Sequence, residues 1–261
     1  MRWWVVAFHF ASLASADSLS VDDSFPDSTR PTLEALADDV WNVVMEMFHS
    51  SPPLDLPVRV HQSNASAPLT RVLKGEISIR ITSRGTHYAQ FAFQLGHELG
   101  HVTLDPRRAN GIVEAICIAV SYEVLDRLGD EIRMSPAYVW LSDYAPNFAP
   151  YRENDQKITL AKMPEEVRAL VANRDWSGIA SYLRDHRREM EPGEPAERIL
   201  QTLAAVALRS GAIDWSELTG IAGCTVPPPE EDPRVRILPI REDCIARLPE
   251  VFCRIGIGCA R

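Results

Sequence analysis

Tyr88-Ala-Gln-Phe-Ala-Phe-Gln-Leu-Gly-His-Glu-Leu-Gly-His-Val-Thr-Leu104 is the stretch from which the rest of the chain is read. At its centre, His97-Glu98-Leu99-Gly100-His101 is an H-E-x-x-H sequence. Two imidazoles four residues apart project from one face of a helix, about one turn apart. At that spacing both can bind one tetrahedral zinc. The intervening Glu98 can take the proton of a water as that water attacks a carbonyl. Phe91, Leu95, Leu99 and Val102 recur at helical intervals and form a stripe suited to burial. Gln90, Gln94, His97 and His101 form a second, polar stripe. Gly96 and Gly100 each cost helix propensity, about 1 kcal/mol. Close approach of a neighbouring element or a metal accounts for them.

A catalytic zinc takes three protein ligands and keeps one position open. Glu114 and Glu123 are candidates for the third ligand on the next helix. They lie nine residues apart, close to opposite sides of that helix, so both cannot face the metal. Glu123 stands with Asp126 and Arg127 on the wet face, where Glu123 and Arg127 form an i,i+4 pair. Glu114 lies among Ile112, Val113, Ala115 and Ile116, where a carboxylate is costly unless paired, metal-bound or exposed at the helix start. That setting favours Glu114. Asp105, one turn past His101, is a weaker candidate whose expected role is the helix end before Pro106. The extended H-E-x-x-H-x-x-G-x-x-H pattern is excluded, since its last position is Arg107 and its glycine position is Leu104. Cys117 reads as core packing.

The surrounding text, Gln94-Leu95-Gly96-His-Glu-Leu-Gly-His-Val and Glu114-Ala-Ile-Cys117-Ile-Ala-Val-Ser121, resembles the gluzincin group of zinc metallopeptidases over residues 76–128. The resemblance implies an α+β, zincin-like core, in which a small sheet packs on the H-E-x-x-H helix and a following Glu-bearing helix. It makes His97, His101 and Glu114 the zinc ligands and Glu98 the general base. The short interval from His101 to Glu114 implies a tight turn between the two helices. Such peptidases add a Tyr or His that stabilises the oxyanion. No motif assigns it here, and His87, Tyr88, Tyr144 and Tyr151 are candidates by position alone.

The 261 residues divide into a signal peptide (1–16), the catalytic core (17–150), a helical lobe (151–222) and a proline-rich, cysteine-bearing segment (223–261). Arg2, the apolar run from Trp3 to Leu13 and Ala14-Ser15-Ala16 form an export signal with an A-x-A cleavage pattern. The expected location is therefore secreted or periplasmic. Cys224, Cys244, Cys253 and Cys259 agree, reading as two disulfides in an oxidising compartment. Asn64-Ala65-Ser66 is a glycosylation sequon in a eukaryotic source. A hydrophobic content of 46% is that of a globular protein. The formal charge of -9 argues against a nucleic-acid partner, and no later stretch is long and apolar enough to span a bilayer.

Helical spacing predicts a helix from Pro31 to about His49. Alternation predicts strands over Pro57 to His61 and Glu76 to Thr82. The second strand either offers an open edge to an extended peptide or is paired within the sheet. Asn110 is a candidate cap for a helix from Gly111 to about Leu128. Met134 to Tyr151 reads as a long aromatic loop bordering the cleft. Helices follow over Pro164 to Asn173, Trp176 to Met190 and Pro195 to Ser210, with His186 solvated on the second. The expected function is a zinc-dependent peptidase acting on a peptide or protein. The competing expectations are a catalytically inactive gluzincin-like protein that binds a partner through its helical half, and a zinc held only for structure.

Overall fold

The computed structural model describes residues 19–49, 52–134, 137, 139–224, 236–237, 244 and 250–256. The proposed signal peptide lies outside them. The architecture is α+β, mainly helical with a small mixed sheet. Strand β1 (Leu19–Val21) is followed by helix α1 (Arg30–Phe48), then β2 (Val58–Gln62), β3 (Leu69–Leu73) and β4 (Glu76–Ile81). The sheet order is β1-β2-β4-β3, with β1, β2 and β4 parallel and β3 antiparallel to β4. Val58 and Val60 stand beside Ile77 and Ile79 across the β2–β4 pair. All four are buried, as is Ile81.

Strand β4 is central and hydrogen-bonded on both sides, so it offers no open edge. Strands β1 and β3 are the edges of this sheet among the described residues. Ser78 of β4, which alternates with the isoleucines, is also buried. Helix α1 packs against β1, and helix α2 (Tyr88–Leu104) against β3, β4 and α1. Gln94, on the polar stripe of α2, is buried. Its Oε1 accepts hydrogen bonds from the Thr82 and Ser83 N–H groups at 2.9 and 3.0 Å, and its Nε2 donates to Thr82 Oγ1 at 2.8 Å. These bonds fix α2 against the end of the central strand, satisfying strand-end donors that burial would otherwise leave unpaired.

Helix α3 (Gly111–Met134) runs six residues beyond the predicted end and is buried on nearly every side. Glu123 and Arg127 form the expected pair at 3.0 Å, and Arg209 adds to it, 3.1 Å from Glu123 and 2.6 Å from Asp126. The segment read as a long aromatic loop is largely helical. It holds α4 (Val139–Tyr144), a 3-10 turn over Ala145–Asn147 and the start of α5 (Phe148–Leu160). Its aromatic residues follow packing: Tyr88, Tyr144 and Phe148 make successive edge contacts. Beyond it come α6 (Glu165–Ala172), α7 (Trp176–Asp185), a 3-10 turn over Arg187–Met190 and α8 (Glu197–Leu208). His186 is half-buried and stacks on Tyr182 with ring centroids 4.0 Å apart, not solvated as expected.

The later helices close on the core around Tyr122 of α3. Its buried hydroxyl donates to Asp155 Oδ2 of α5 at 2.6 Å. Arg198 of α8 approaches the same carboxylate at 3.1 Å, and its guanidinium lies 5.6 Å from the centre of the Phe93 ring on α2. This cation thus ties α8 and α5 to the helix bearing the histidines, and Tyr122 adds α3 through Asp155. Cys224 and Cys244 form a disulfide. Cys253 is also disulfide-bonded, and Cys259 lies outside the described residues. No helix among the described residues is long and apolar enough to cross a membrane.

Burial, Glu131 and Asp38 together raise the pKa of Asp39 on α1 from 3.8 to about 6. The folded chain therefore binds this proton more tightly than the unfolded chain. Stability falls as pH rises across that window and stays lowered above it. Asp39→Asn should raise the thermal midpoint at pH 7 by on the order of a few °C. The gain should shrink towards zero below the unfolded pKa. Melting curves at pH 7 and pH 4 check both halves of this expectation.

Candidate metal centre

Helices α2 and α3 position the site. The first seven residues of α2 run from Tyr88 to Gln94, and the H-E-x-x-H sequence spans about one and a half turns in the second half of the helix. His97 and His101 present their rings side by side, with centroids 5.0 Å apart. Where their Cβ atoms would be, Gly96 and Gly100 are approached by α3. A Cβ on Gly96 would meet Val124 Cγ2 at 3.3 Å and Ser121 Cα at 3.4 Å. On Gly100 it would meet Cys117 Sγ at 3.0 Å and Cys117 Cα at 3.2 Å. The glycines thus let the two helices approach at the level of the histidines, which resolves their cost in helix propensity.

The turn between the helices is short, as the spacing requires. Asp105 ends α2 with φ 91°, an uncommon value for a non-glycine residue. It is buried, and its carboxylate is bonded to Arg107 Nε at 2.8 Å and Arg108 Nε at 3.0 Å. Those guanidiniums hold its carboxyl below the usual aspartate range against the effect of burial. Asp105 therefore holds the turn and stands apart from the group that can bind a metal. Asn110 caps α3 as expected, its Oδ1 accepting the N–H groups of Ile112 and Val113 at 3.0 Å each. Glu191 Oε2 accepts the Gly111 N–H at 2.9 Å, so the helical lobe also grips this helix start. Both caps fix the first turn, from which Glu114 projects.

Glu114 lies between the two imidazoles. Its Oε2 is 3.1 Å from His97 Nε2 and its Oε1 is 3.4 Å from His101 Nε2. One ligand atom from each of the three residues falls within 4.8 Å of the others. These three side chains can hold a metal ion. Burial works against charge on Glu114, but His101 and His97 outweigh it and hold its carboxyl far below the usual glutamate range. Burial likewise opposes a charged His101, while Cys117 and Glu114 raise its pKa well above the ordinary imidazole value. Burial also keeps the Cys117 thiol protonated, so the Glu114 carboxylate is the charge that acts on His101 at neutral pH.

Glu98, only 3% exposed, lies at the same cleft as the three candidate ligands and outside their group. Its Oε2 accepts a 2.6 Å hydrogen bond from Thr70 Oγ1 on the edge strand. The cavity here has a volume of about 110 Å³, lined by His97, Glu98, His101, Glu114, Thr70, Leu69, Pro68 and Pro106. It has room for a few waters or a small reacting group. The site is thus walled by both helices and by β3. Sequence reading missed Thr70, because no spacing in the chain ties a threonine to a glutamate 28 residues later.

None of the four candidate oxyanion residues lines this cavity. Tyr88 packs against Trp140 and Tyr144 near the start of α2, with ring centroids 5.3 and 5.2 Å away. The Tyr144 hydroxyl is taken by the Ala89 N–H at 3.2 Å, Tyr151 packs on Phe93, and His87 precedes the first turn of α2. His87, Tyr88 and Tyr144 sit at the start of the helix, and Tyr151 packs one turn before His97 without lining the cleft. Glu123, the rejected ligand, is engaged with Arg127 and Arg209.

Fold and site together define an α+β protein in which a His-His-Glu group that could hold a metal ion lies beside a buried glutamate. Comparison with known protein families and with curated proteins gave no match.

Proposed function

We propose that the protein is an exported zinc-dependent peptidase with a zincin-like core of the gluzincin kind. The observation that carries this reading is the convergence of His97, His101 and Glu114 on one point, with Glu98 at the same cleft but outside the ligand group. Two imidazoles and one carboxylate suit zinc, and three protein ligands are the number found in catalytic zinc sites, where a fourth position takes water or substrate. A group held for structure alone has four protein ligands as a rule and no need of a buried base.

Zinc, when bound, supplies Lewis acidity, polarising a scissile carbonyl and lowering the pKa of water towards about 7. The chain's own residues do the remainder. Glu98 accepts the proton of the attacking water and passes it to the leaving amine. Its burial excludes competing water from the carboxylate and strengthens each charge interaction in the cleft. Asp105, Asn110 and Glu191 fix the turn and the start of α3, holding Glu114 in register with the histidines. The outer edge of β3, which carries no strand among the described residues, can receive an extended peptide by main-chain pairing. Leu69 and Thr70 of that strand line the cleft, so a peptide laid there passes beside Glu98.

Incubation of the zinc-loaded protein with a mixed peptide library tests this, cleavage being read by mass spectrometry. Cleavage abolished by a chelator and restored by added zinc is the expected result. Absence of cleavage by the loaded protein, or cleavage indifferent to chelation, overturns the reading.

A further inference from the structure

We infer that Thr70 is a positioning residue for Glu98, fixing which of its two carboxylate oxygens faces the reacting water. The inference rests on the reading of Glu98 as the base, and its observations are independent of the metal. Thr70 is the buried polar residue of β3, 3% exposed, in a strand position whose side chain points at α2. Valine has the same shape and would satisfy such a position without a hydroxyl to bury. A buried hydroxyl costs free energy unless it is bonded, and this one donates to Glu98 Oε2 at 2.6 Å, with Glu98 O further off at 3.4 Å.

The argument also runs from the other partner. Glu98 is as deeply buried as Thr70, and a buried carboxylate needs a donor. Thr70 supplies it among the described residues. A hydroxyl that donates to Oε2 takes up one of that oxygen's lone pairs and draws on its charge, which makes Oε1 the better acceptor for a water proton. The stiffness of the threonine side chain at χ1 makes this a fixed constraint. Because Thr70 belongs to the edge strand, displacement of β3 is transmitted directly to the base.

The test compares Thr70→Val with Thr70→Ser in the full chain. Thr70→Val removes the donor and keeps the shape, while Thr70→Ser restores the donor. On a peptide cleaved by the wild type, Thr70→Val should lower kcat by about 10- to 100-fold with KM within about threefold. Thr70→Ser should recover most of that loss, and both variants should bind zinc as the wild type does. A second readout needs no turnover: the thermal midpoints of Thr70→Val, Glu98→Ala and the double variant form a cycle. Thr70→Val should lower the midpoint more with Glu98 present than with Glu98 replaced, the difference being about 2–4 °C.

Equal shifts in both backgrounds, or wild-type kcat in Thr70→Val, overturn the inference. So does a Thr70→Ser variant as impaired as Thr70→Val. If the wild type cleaves no peptide, the peptidase reading fails, and the cycle alone then decides whether Thr70 holds Glu98.

Discussion

Glu98→Gln is expected to leave zinc bound and to lower peptide turnover by about 10²- to 10⁴-fold. The amide has nearly the shape of the carboxylate, and its carbonyl can still accept the Thr70 hydroxyl. Glu98 contributes no atom to the group of three candidate ligands, so metal affinity should change little. What disappears is a group that can accept a proton at neutral pH. The loss should therefore fall on kcat, with KM nearly unchanged, as for an interaction made in the transition state. Turnover of the loaded variant on the library-selected peptide, set beside its zinc content, checks both parts. Undiminished turnover with zinc in place would remove Glu98 from the mechanism.

The second large effect is expected at Glu114. Glu114→Gln replaces an anionic ligand by a neutral amide between two imidazoles, and zinc affinity should drop by on the order of 100-fold or more. Competition titration against a zinc-binding dye measures it. Proton linkage supplies a second signature in the metal-free protein. The folded pKa of His101 is raised above 6.5 and that of Glu114 is depressed below 4.5. Stability from this pair is therefore present between about pH 4.5 and 6.5 and is lost on either side: as pH rises through the raised His101 value, and as it falls through the depressed Glu114 value. Metal-free wild type should melt higher at pH 6 than at pH 9 by a margin that Glu114→Gln lacks. Zinc reverses the trend, because it needs neutral imidazoles and binds better as pH rises.

Much of this centre was legible in the chain because it is local. The spacing of His97 and His101 requires only helical periodicity, and Phe91, Leu95, Leu99 and Val102 supply it. Glu114 could be chosen over Glu123 by its apolar neighbours, and it lies between the histidines as that choice required. Gly96 and Gly100 marked a close approach whose agent, α3, became visible only in three dimensions. The misses share a cause. Strands β1 and β3 are short and carry little alternation, so whether β4 was an open edge or a paired strand stayed undecided until the sheet order was seen. The segment from Met134 to Tyr151 has prolines and aromatics that suit turns, yet tertiary packing of Tyr144 and Phe148 holds it in short helices. Thr70 joined to Glu98 and Gln94 joined to the end of β4 are long-range hydrogen bonds, and periodicity does not encode such partners. The four residues offered for the oxyanion were chosen by nearness in sequence or by their place in the aromatic segment, and none of them lines the cleft.

The central claim is that His97, His101 and Glu114 hold one catalytic zinc. Its most direct test is the zinc content of the purified protein after exhaustive dialysis at neutral pH, measured by elemental mass spectrometry beside His101→Ala. About one equivalent in the wild type, with less than roughly a tenth of that in the variant, is the expected result. A wild-type protein that retains no zinc after reconstitution at neutral pH would contradict the claim. It would leave three converging side chains whose pairing is structural.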